Sequence, residues 1–191
     1  MAVGEVISTE SEEVVARVWE VRPGKKQRRF VLAAVEVKTA QGGGMPFANL
    51  TFNLAPGSDE KIKSALFHPL WLSAEGKDGK PPGYKLPDGL VALAKALGNH
   101  CAPTVMEYVV PVREKGVILT NPDGTPQMTT RLGLNSEQVQ EYLEKQVGQE
   151  LDIIERVGKQ VNPDGTKTDK NVVEAFVPRG GSAKSSGRRR E

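Results

Sequence analysis

Period-two alternation of apolar and polar side chains recurs three times in the first 54 residues. The three segments are VVARVWEVR (14–22), FVLAAVEVK (30–38) and FANLTFNL (47–54). Because successive side chains of a β-strand point to opposite faces of its sheet, this pattern predicts three half-buried strands. Such strands share an apolar face, which must be buried by packing or by closing the sheet into a barrel. The alternation therefore predicts a mainly β fold.

The alternation also predicts which side chains face the core. The apolar side of the second and third strands carries Val31, Ala33, Val35, Val37, Leu50, Phe52 and Leu54. The opposite side brings together aromatic, amide and basic groups, namely Arg17, Trp19, Phe30, Lys38, Phe47 and Asn49. Rings beside cations form a platform on which nucleobases stack while the cations contact phosphates. The alternative is that other parts of the chain cover these rings and form a second small core.

A strongly basic turn, RPGKKQRRF (22–30), joins the first two predicted strands. Its five cations are Arg22, Lys25, Lys26, Arg28 and Arg29. The formal net charge of the chain is only +2, so attraction for a polyanion has to come from local concentrations of charge such as this turn. Two interpretations stay open, a solvated hairpin tip and a clamp for phosphates.

Helical spacing and capping residues occur in the middle of the chain. They predict a helix from Ser58 through Phe67, a second over 88–97 that ends at Gly98, and a third over 135–147 with Asn135 and Gln138 as a capping box and Gly148 as its end. Residues 57–87 are rich in glycine, proline and lysine, which favours an irregular insertion.

The pentapeptide NPDGT occurs twice, at 121–125 and 162–166, and predicts tight turns rather than calcium loops. The second copy joins two strand candidates, ELDIIERVGKQ (150–160) and NVVEAFVP (171–178), in a predicted hairpin. We therefore expect residues 1–178 to form one domain. The basic segment 179–191 has no apolar residue larger than alanine, and we expect it to be a disordered tail.

Residue types that support catalysis or metal binding are sparse. The single cysteine, Cys101, cannot form an internal disulfide, which favours a reducing compartment. His68 and His100 lack the partners and spacing of a zinc site, and Gly42–Gly44 is not followed by the residues of a phosphate-binding loop. No segment approaches the roughly 20 apolar residues of a membrane span. We expect a cytoplasmic protein that needs no metal or cofactor, does not contact membranes and is not an enzyme.

The order of segments resembles that of the single-stranded DNA-binding proteins of bacteriophages. The resemblance comprises three strands with a basic first turn, a glycine-rich second connection, helical material and a late hairpin that ends in NVVEAFVP. It implies a single OB-like five-stranded barrel with helical insertions. It also implies non-sequence-specific binding of single-stranded DNA in phage replication or recombination, with replication or recombination proteins as partners.

One feature departs from that family. Many of its members end in an acidic segment that recruits partners, whereas this chain ends in SSGRRRE, which points to an additional contact with nucleic acid. Two other functions remain open on the sequence. One is a β-rich virion structural or scaffold protein that contacts DNA or a partner subunit, and the other is an enzyme subunit whose active site lies elsewhere.

Overall fold

The computed structural model describes residues 20–74 and 86–180. Within these ranges the elements are β1 (Lys26–Thr39), β2 (Pro46–Leu54), β3 (Leu66–Trp71), α1 (Asp88–Leu97), β4 (Val105–Pro111), β5 (Arg113–Glu114), β6 (Val117–Ile118), β7 (Met128–Leu134), α2 (Ser136–Glu144), β8 (Glu150–Val161) and β9 (Lys167–Val177). The expected mainly β fold is confirmed. Neither of these helices is long and apolar enough to cross a membrane.

Five strands form one antiparallel sheet in the order β3-β2-β1-β8-β9. β4 and β7 form a separate two-stranded sheet, and β5 pairs with β6 between them in sequence. We call residues 105–134 the ribbon. Its end joins the main sheet, because the Leu134 N–H donates to the Leu72 carbonyl and the Ala74 N–H donates to the Leu132 carbonyl.

The predicted closed barrel is wrong, because the five-stranded sheet is open between β3 and β9. Residues 20–22 lie between these two edges. The Arg22 N–H donates to Asn171 Oδ1 on β9, Asn171 Nδ2 donates to the Arg22 carbonyl, and Ser64 Oγ, just before β3, donates to the Glu20 carbonyl. In the described part of the chain, β3 and β9 are therefore connected through side chains and residues 20–22, and not through a ladder of backbone hydrogen bonds.

The core lies on one face of the sheet and is covered by both helices. Its largest apolar members include Phe30, Leu32, Leu50, Phe52, Leu66, Leu90, Leu93, Leu97, Leu134, Val139, Leu143, Leu151 and Ile153. The prediction of α1 is confirmed, including its end at Gly98 in the left-handed conformation (φ 72°). α2 also forms, and Asn135 Oδ1 accepts from the N–H groups of Glu137 and Gln138 as an N-cap should. It ends at Glu144, before the predicted end at 147.

The predicted core face of β1 is wrong in its first half. Phe30 and Leu32 are fully buried, although Phe30 was expected on the opposite face. The register moves from Leu32 opposite Phe52 to Ala34 opposite Thr51, so Ala33 is the extra residue of a β-bulge. After the bulge the inward side switches, and Val35 packs against the core as predicted. Strict alternation cannot describe a strand with a bulge.

The predicted helix from Ser58 through Phe67 is also wrong. Residues 66–71 form β3, an edge strand, and the expected irregular insertion over 57–87 therefore contains regular structure. Pro69 is tolerated there because an edge strand can lack one N–H donor. The predicted strand 14–22 is not found over residues 20–22, and its other residues lie outside the described ranges, as does most of the predicted tail.

The hairpin of β8 and β9 is confirmed, with the second NPDGT copy at its turn. Both copies have the same internal bonds. Asp123 Oδ1 accepts from the N–H (2.9 Å) and Oγ1 (2.6 Å) of Thr125, and Asp164 Oδ1 accepts from the same groups of Thr166 at the same distances. These bonds lower the pKa of both carboxyl groups. Side-chain chemistry within five residues is thus enough to specify each turn.

A pH dependence of stability follows from His68. Its ring lies 5.4 Å from that of Phe176 across the open side of the sheet, and burial lowers the pKa of the imidazole from 6.5. Because the unfolded chain then binds a proton more readily than the folded one, stability is complete above about pH 6.5 and falls as the pH drops toward the folded-state pKa.

Urea unfolding at about pH 7.5 and about pH 5.5 measures this effect, since ordinary carboxyl groups stay ionised in that window. We expect a lower free energy of unfolding at the acidic value. His68→Phe should remove most of the difference, and an unchanged difference in that variant would show that another group causes it.

Candidate functional site

Two of the five cations of the basic turn are buried in an ion cluster. The Arg22 side chain has no exposed surface, and its Nε and Nη2 donate to Glu155 at 2.7 and 2.9 Å. Arg28 is also buried and contacts Glu155 (2.8 Å) and Glu60 (2.7 Å). We call Arg22, Arg28, Glu60 and Glu155 the ion cluster, in which Glu60 is the partly exposed member. The exposure expected for Arg22, Arg28 and the neighbouring Phe30 is contradicted, because all three belong to the interior.

The other three cations of the turn are exposed but paired. Lys25 contacts Glu174 (3.0 Å), Lys26 contacts Glu60 (3.2 Å) and Arg29 contacts Asp152 (3.0 Å). Hydrogen bonds from Arg28 and Lys26 lower the pKa of Glu60, and hydrogen bonds from Lys25 and Arg156 lower that of Glu174. The positive charge of this segment is therefore balanced by carboxylates of the protein itself.

The outer face of β1, β2 and β3 carries a cluster of exposed and half-exposed rings. Phe47 lies opposite Lys38 on β1 and opposite Trp71 on β3, and the rings of Phe47 and Trp71 are 5.1 Å apart with a 39° tilt. Trp71 is 53% exposed, and Phe67, on the same face of β3, is 57% exposed. We call Phe47, Phe67 and Trp71 the aromatic platform. Its outermost members on β3 are four residues apart, or about 13 Å along a strand.

Polar groups lie between and beside these rings. Asn49 is opposite Glu36 and Pro69, in the row between Phe47 and Thr51. Lys38 contacts Glu36 at 2.9 Å on the strand surface. The expectation that Lys38, Phe47 and Asn49 share a face opposite the core is confirmed. Arg17 and Trp19, which were expected on the same face, lie outside the described residues.

A groove of about 590 Å³ begins at Trp71 and runs between the glycine-rich loop and the ribbon. Its lining includes Met45, Val110, Arg113 and Arg131. Arg113 spans the two sides, because its Nη2 donates to the Gln41 carbonyl of the loop. Gly42 lies directly beneath it, with φ of 74°, and a Cβ at this position would stand 2.8 Å from Arg113 Nη2. The groove thus places guanidinium groups next to the exposed indole.

Sequence reasoning missed Phe67 because it assigned residues 58–67 to a helix, and it missed Trp71 because it assigned that residue to an irregular insertion over 57–87. The alternation of Leu66, His68 and Leu70 with Phe67, Pro69 and Trp71 could have identified the strand. Arg113 and Arg131 gave no comparable local signal, since the ribbon brings them to Trp71 through contacts that are distant in sequence.

The chemistry available at this face is stacking and anion binding. Within residues 20–74 and 86–180, no three His, Cys, Asp or Glu side chains are placed to hold a metal ion. Comparisons with protein-family models, curated proteins and solved structures find no match to this chain. The properties of the face itself are therefore the basis for a functional proposal.

Proposed function

We propose that the protein binds single-stranded DNA without sequence specificity on the outer face of β1, β2 and β3. The observation that carries this proposal is the half-exposed Trp71, packed against Phe47 and bordered by a groove with two arginines. A contiguous patch of exposed apolar side chains commonly marks a surface that binds a ligand or partner. A nucleobase covers an aromatic ring by stacking, and a guanidinium group binds phosphate through paired N–H donors.

The geometry favours a single strand over a duplex. Bases in a duplex are stacked on each other, so their faces cannot reach rings on the surface of a sheet. Unpaired bases can be spread along the strand direction and stack on Phe47, Trp71 and Phe67 in turn, and every base offers such a face. Asn49 supplies hydrogen-bonding groups between the rings without requiring a particular base. This combination supports sequence-tolerant binding.

The biological setting of the proposal comes from the resemblance in segment order. A phage protein of this kind covers single-stranded DNA during replication or recombination, and it works with other proteins of those processes. Catalysis is not part of the proposal. The open sheet departs from a closed OB barrel, but the outer face of strands 2 and 3 is the surface that OB-folds use for oligonucleotides.

A second candidate function is a structural or scaffold role in a virion. It is favoured by the exposed apolar residues of the ribbon, among them Val109, Val117 and Met128, which protein contacts would bury. A scaffold protein should assemble and should not prefer single-stranded DNA.

The deciding experiment is a titration of the isolated protein against a labelled single-stranded oligonucleotide and the matching duplex, followed by fluorescence anisotropy. We expect the single strand to bind more tightly at every salt concentration. Equal binding, or tighter binding of the duplex, would contradict the proposal and favour the structural role.

The salt dependence tests which cations contact phosphate. Each phosphate neutralised on a single strand adds about 0.7 to the magnitude of the negative slope of log K against log salt, so Lys38, Arg113 and Arg131 together predict a magnitude of about 2. Arg113→Ala should reduce the slope by about 0.7. Lys25→Ala is the matched control, because Lys25 is exposed, cationic and paired with a carboxylate as Lys38 is, but lies at the opposite end of β1 from Lys38. If the slope were reduced in the Lys25 variant and not in the Arg113 variant, the basic turn rather than the groove would contact the phosphates.

A further inference from the structure

The ribbon carries an unusual share of exposed apolar surface. Among the described residues eight large hydrophobic side chains are exposed, and four of them, Met106, Val109, Val117 and Met128, belong to the ribbon. Val109 is 64% exposed. Two others, Phe67 and Trp71, belong to the aromatic platform. The ribbon is therefore a second surface of interest, and the nucleic-acid proposal does not account for it.

The outer edge of the ribbon is β4, and no second strand pairs with that edge in the described ranges. Within residues 20–74 and 86–180, β7 pairs with β4 on one side and with residues 72–74 on the other, whereas β4 pairs only with β7. The Val112 N–H donates to the Gln127 carbonyl (2.8 Å), in the same register as the β4–β7 ladder. Bonded pairs alternate along an antiparallel ladder, so the backbone groups of Val105, Glu107 and Val109 point away from β7.

This edge lacks the usual protection against pairing. Edge strands are commonly blocked by lysine, by a central proline or by a bulge. β4 is seven residues of VMEYVVP with a regular register, its proline is the last residue, and its only charged side chain is Glu107. A free edge of this kind is a template for another strand.

We propose that β4 pairs antiparallel with β4 of a second copy of this chain. The register that overlaps all seven residues has its two-fold axis at Tyr108 and places Glu107 opposite Val109 of the other copy. Both of these residues have outward backbone groups, so each such pair exchanges two hydrogen bonds. The charge pattern fits, because the two Glu107 side chains are not opposite each other, whereas an axis at Glu107 would bring them together.

The pairing would join two ribbons into one four-stranded sheet, β7-β4-β4-β7. Val109 would be covered by strand contacts from the other copy. Val110 and Arg131, on the other face of the ribbon, line the groove in each copy. This inference goes beyond the proposed function and does not depend on DNA binding.

Two substitutions at one exposed position test both the pairing and its register. In the dimer, Val109→Glu places a carboxylate opposite Glu107 twice, whereas Val109→Lys places an ammonium group there twice. Within one chain the residue opposite Val109 is Thr130, which is uncharged, so neither variant meets a like charge across the ribbon. Sedimentation velocity without DNA, over about 1–100 μM protein, reports the dimer, and thermal unfolding checks that both variants fold.

We expect a concentration-dependent dimer for the unsubstituted protein. Val109→Glu should weaken it by about tenfold or more, and Val109→Lys by much less, since like charges on directly opposite residues repel and unlike charges attract. A monomer throughout the range for the unsubstituted protein would overturn the proposal. So would equal effects of the two substitutions, because the Glu107–Val109 register would then be absent. Neither result would affect the single-stranded DNA proposal, which is measured by titration.

Discussion

Replacing Glu155 by alanine should lower the free energy of unfolding by about 3–5 kcal/mol, the usual cost of removing one partner from a buried ion pair. Glu155 has no exposed surface and accepts hydrogen bonds from two nitrogens of Arg22 while also contacting Arg28. Without it, two guanidinium groups remain in the interior and, among the described residues, only Glu60 is left to balance them. Urea unfolding at neutral pH measures the loss.

Two further variants place that loss in context. Glu174→Ala removes the exposed partner of Lys25 and should cost at most about 1 kcal/mol, as surface ion pairs do. Arg22→Met keeps the apolar stem and leaves Arg28 beside Glu155, so we expect a loss between those of the other two variants. If Glu155→Ala were no more destabilising than Glu174→Ala, the cluster would not contribute to the fold as its burial implies.

The cluster also explains a sequence feature that pointed elsewhere. Five cations in RPGKKQRRF are balanced by Glu60, Asp152, Glu155 and Glu174, and Arg22 and Glu155 are 133 residues apart in the chain. Local reading of a basic segment cannot find carboxylates that the fold brings to it. Both interpretations that the sequence left open, solvated tip and phosphate clamp, treated the segment as unpaired.

Features set by local chemistry were predictable. α1 ends where a glycine can adopt positive φ, α2 begins where Asn135 can cap it, and the β8–β9 hairpin turns at NPDGT because that pentapeptide forms its own hydrogen bonds. Each of these depends on fewer than six neighbouring residues. The sequence is sufficient to predict these three features because the alternative conformations of each segment also depend on neighbouring residues alone.

Features set by long-range contacts were not predictable. The bulge at Ala33 reverses the inward face of β1, and only pairing with β2 reveals it. Closure of the sheet depends on whether β3 and β9 meet, and residues 20–22 lie between them. The candidate site was predicted only in part. Alternation placed Phe47 and Asn49 correctly, and it could have identified β3, but the position of Trp71 beside Phe47 follows only from the pairing of β3 with β2.

Replacing Trp71 by leucine should weaken binding of single-stranded DNA by about 5- to 150-fold, which corresponds to about 1–3 kcal/mol for the loss of one stacked base. The side chain is half exposed on an edge strand, so stability should change far less than in Phe52→Ala, where removal of a fully buried ring costs about 3–5 kcal/mol. Anisotropy titrations and urea unfolding on the same preparations measure the two quantities.

The choice of leucine separates stacking from general apolar contact. Trp71→Phe keeps a ring that can lie against both Phe47 and a base, so most of the affinity should remain, whereas leucine keeps apolar bulk and loses the ring. Val147→Ala is the control for an exposed apolar residue elsewhere, just after α2, and should leave affinity unchanged. If leucine and phenylalanine at 71 bound equally well, bases would not stack there. The exposed indole would then belong to a protein contact, as the scaffold function requires.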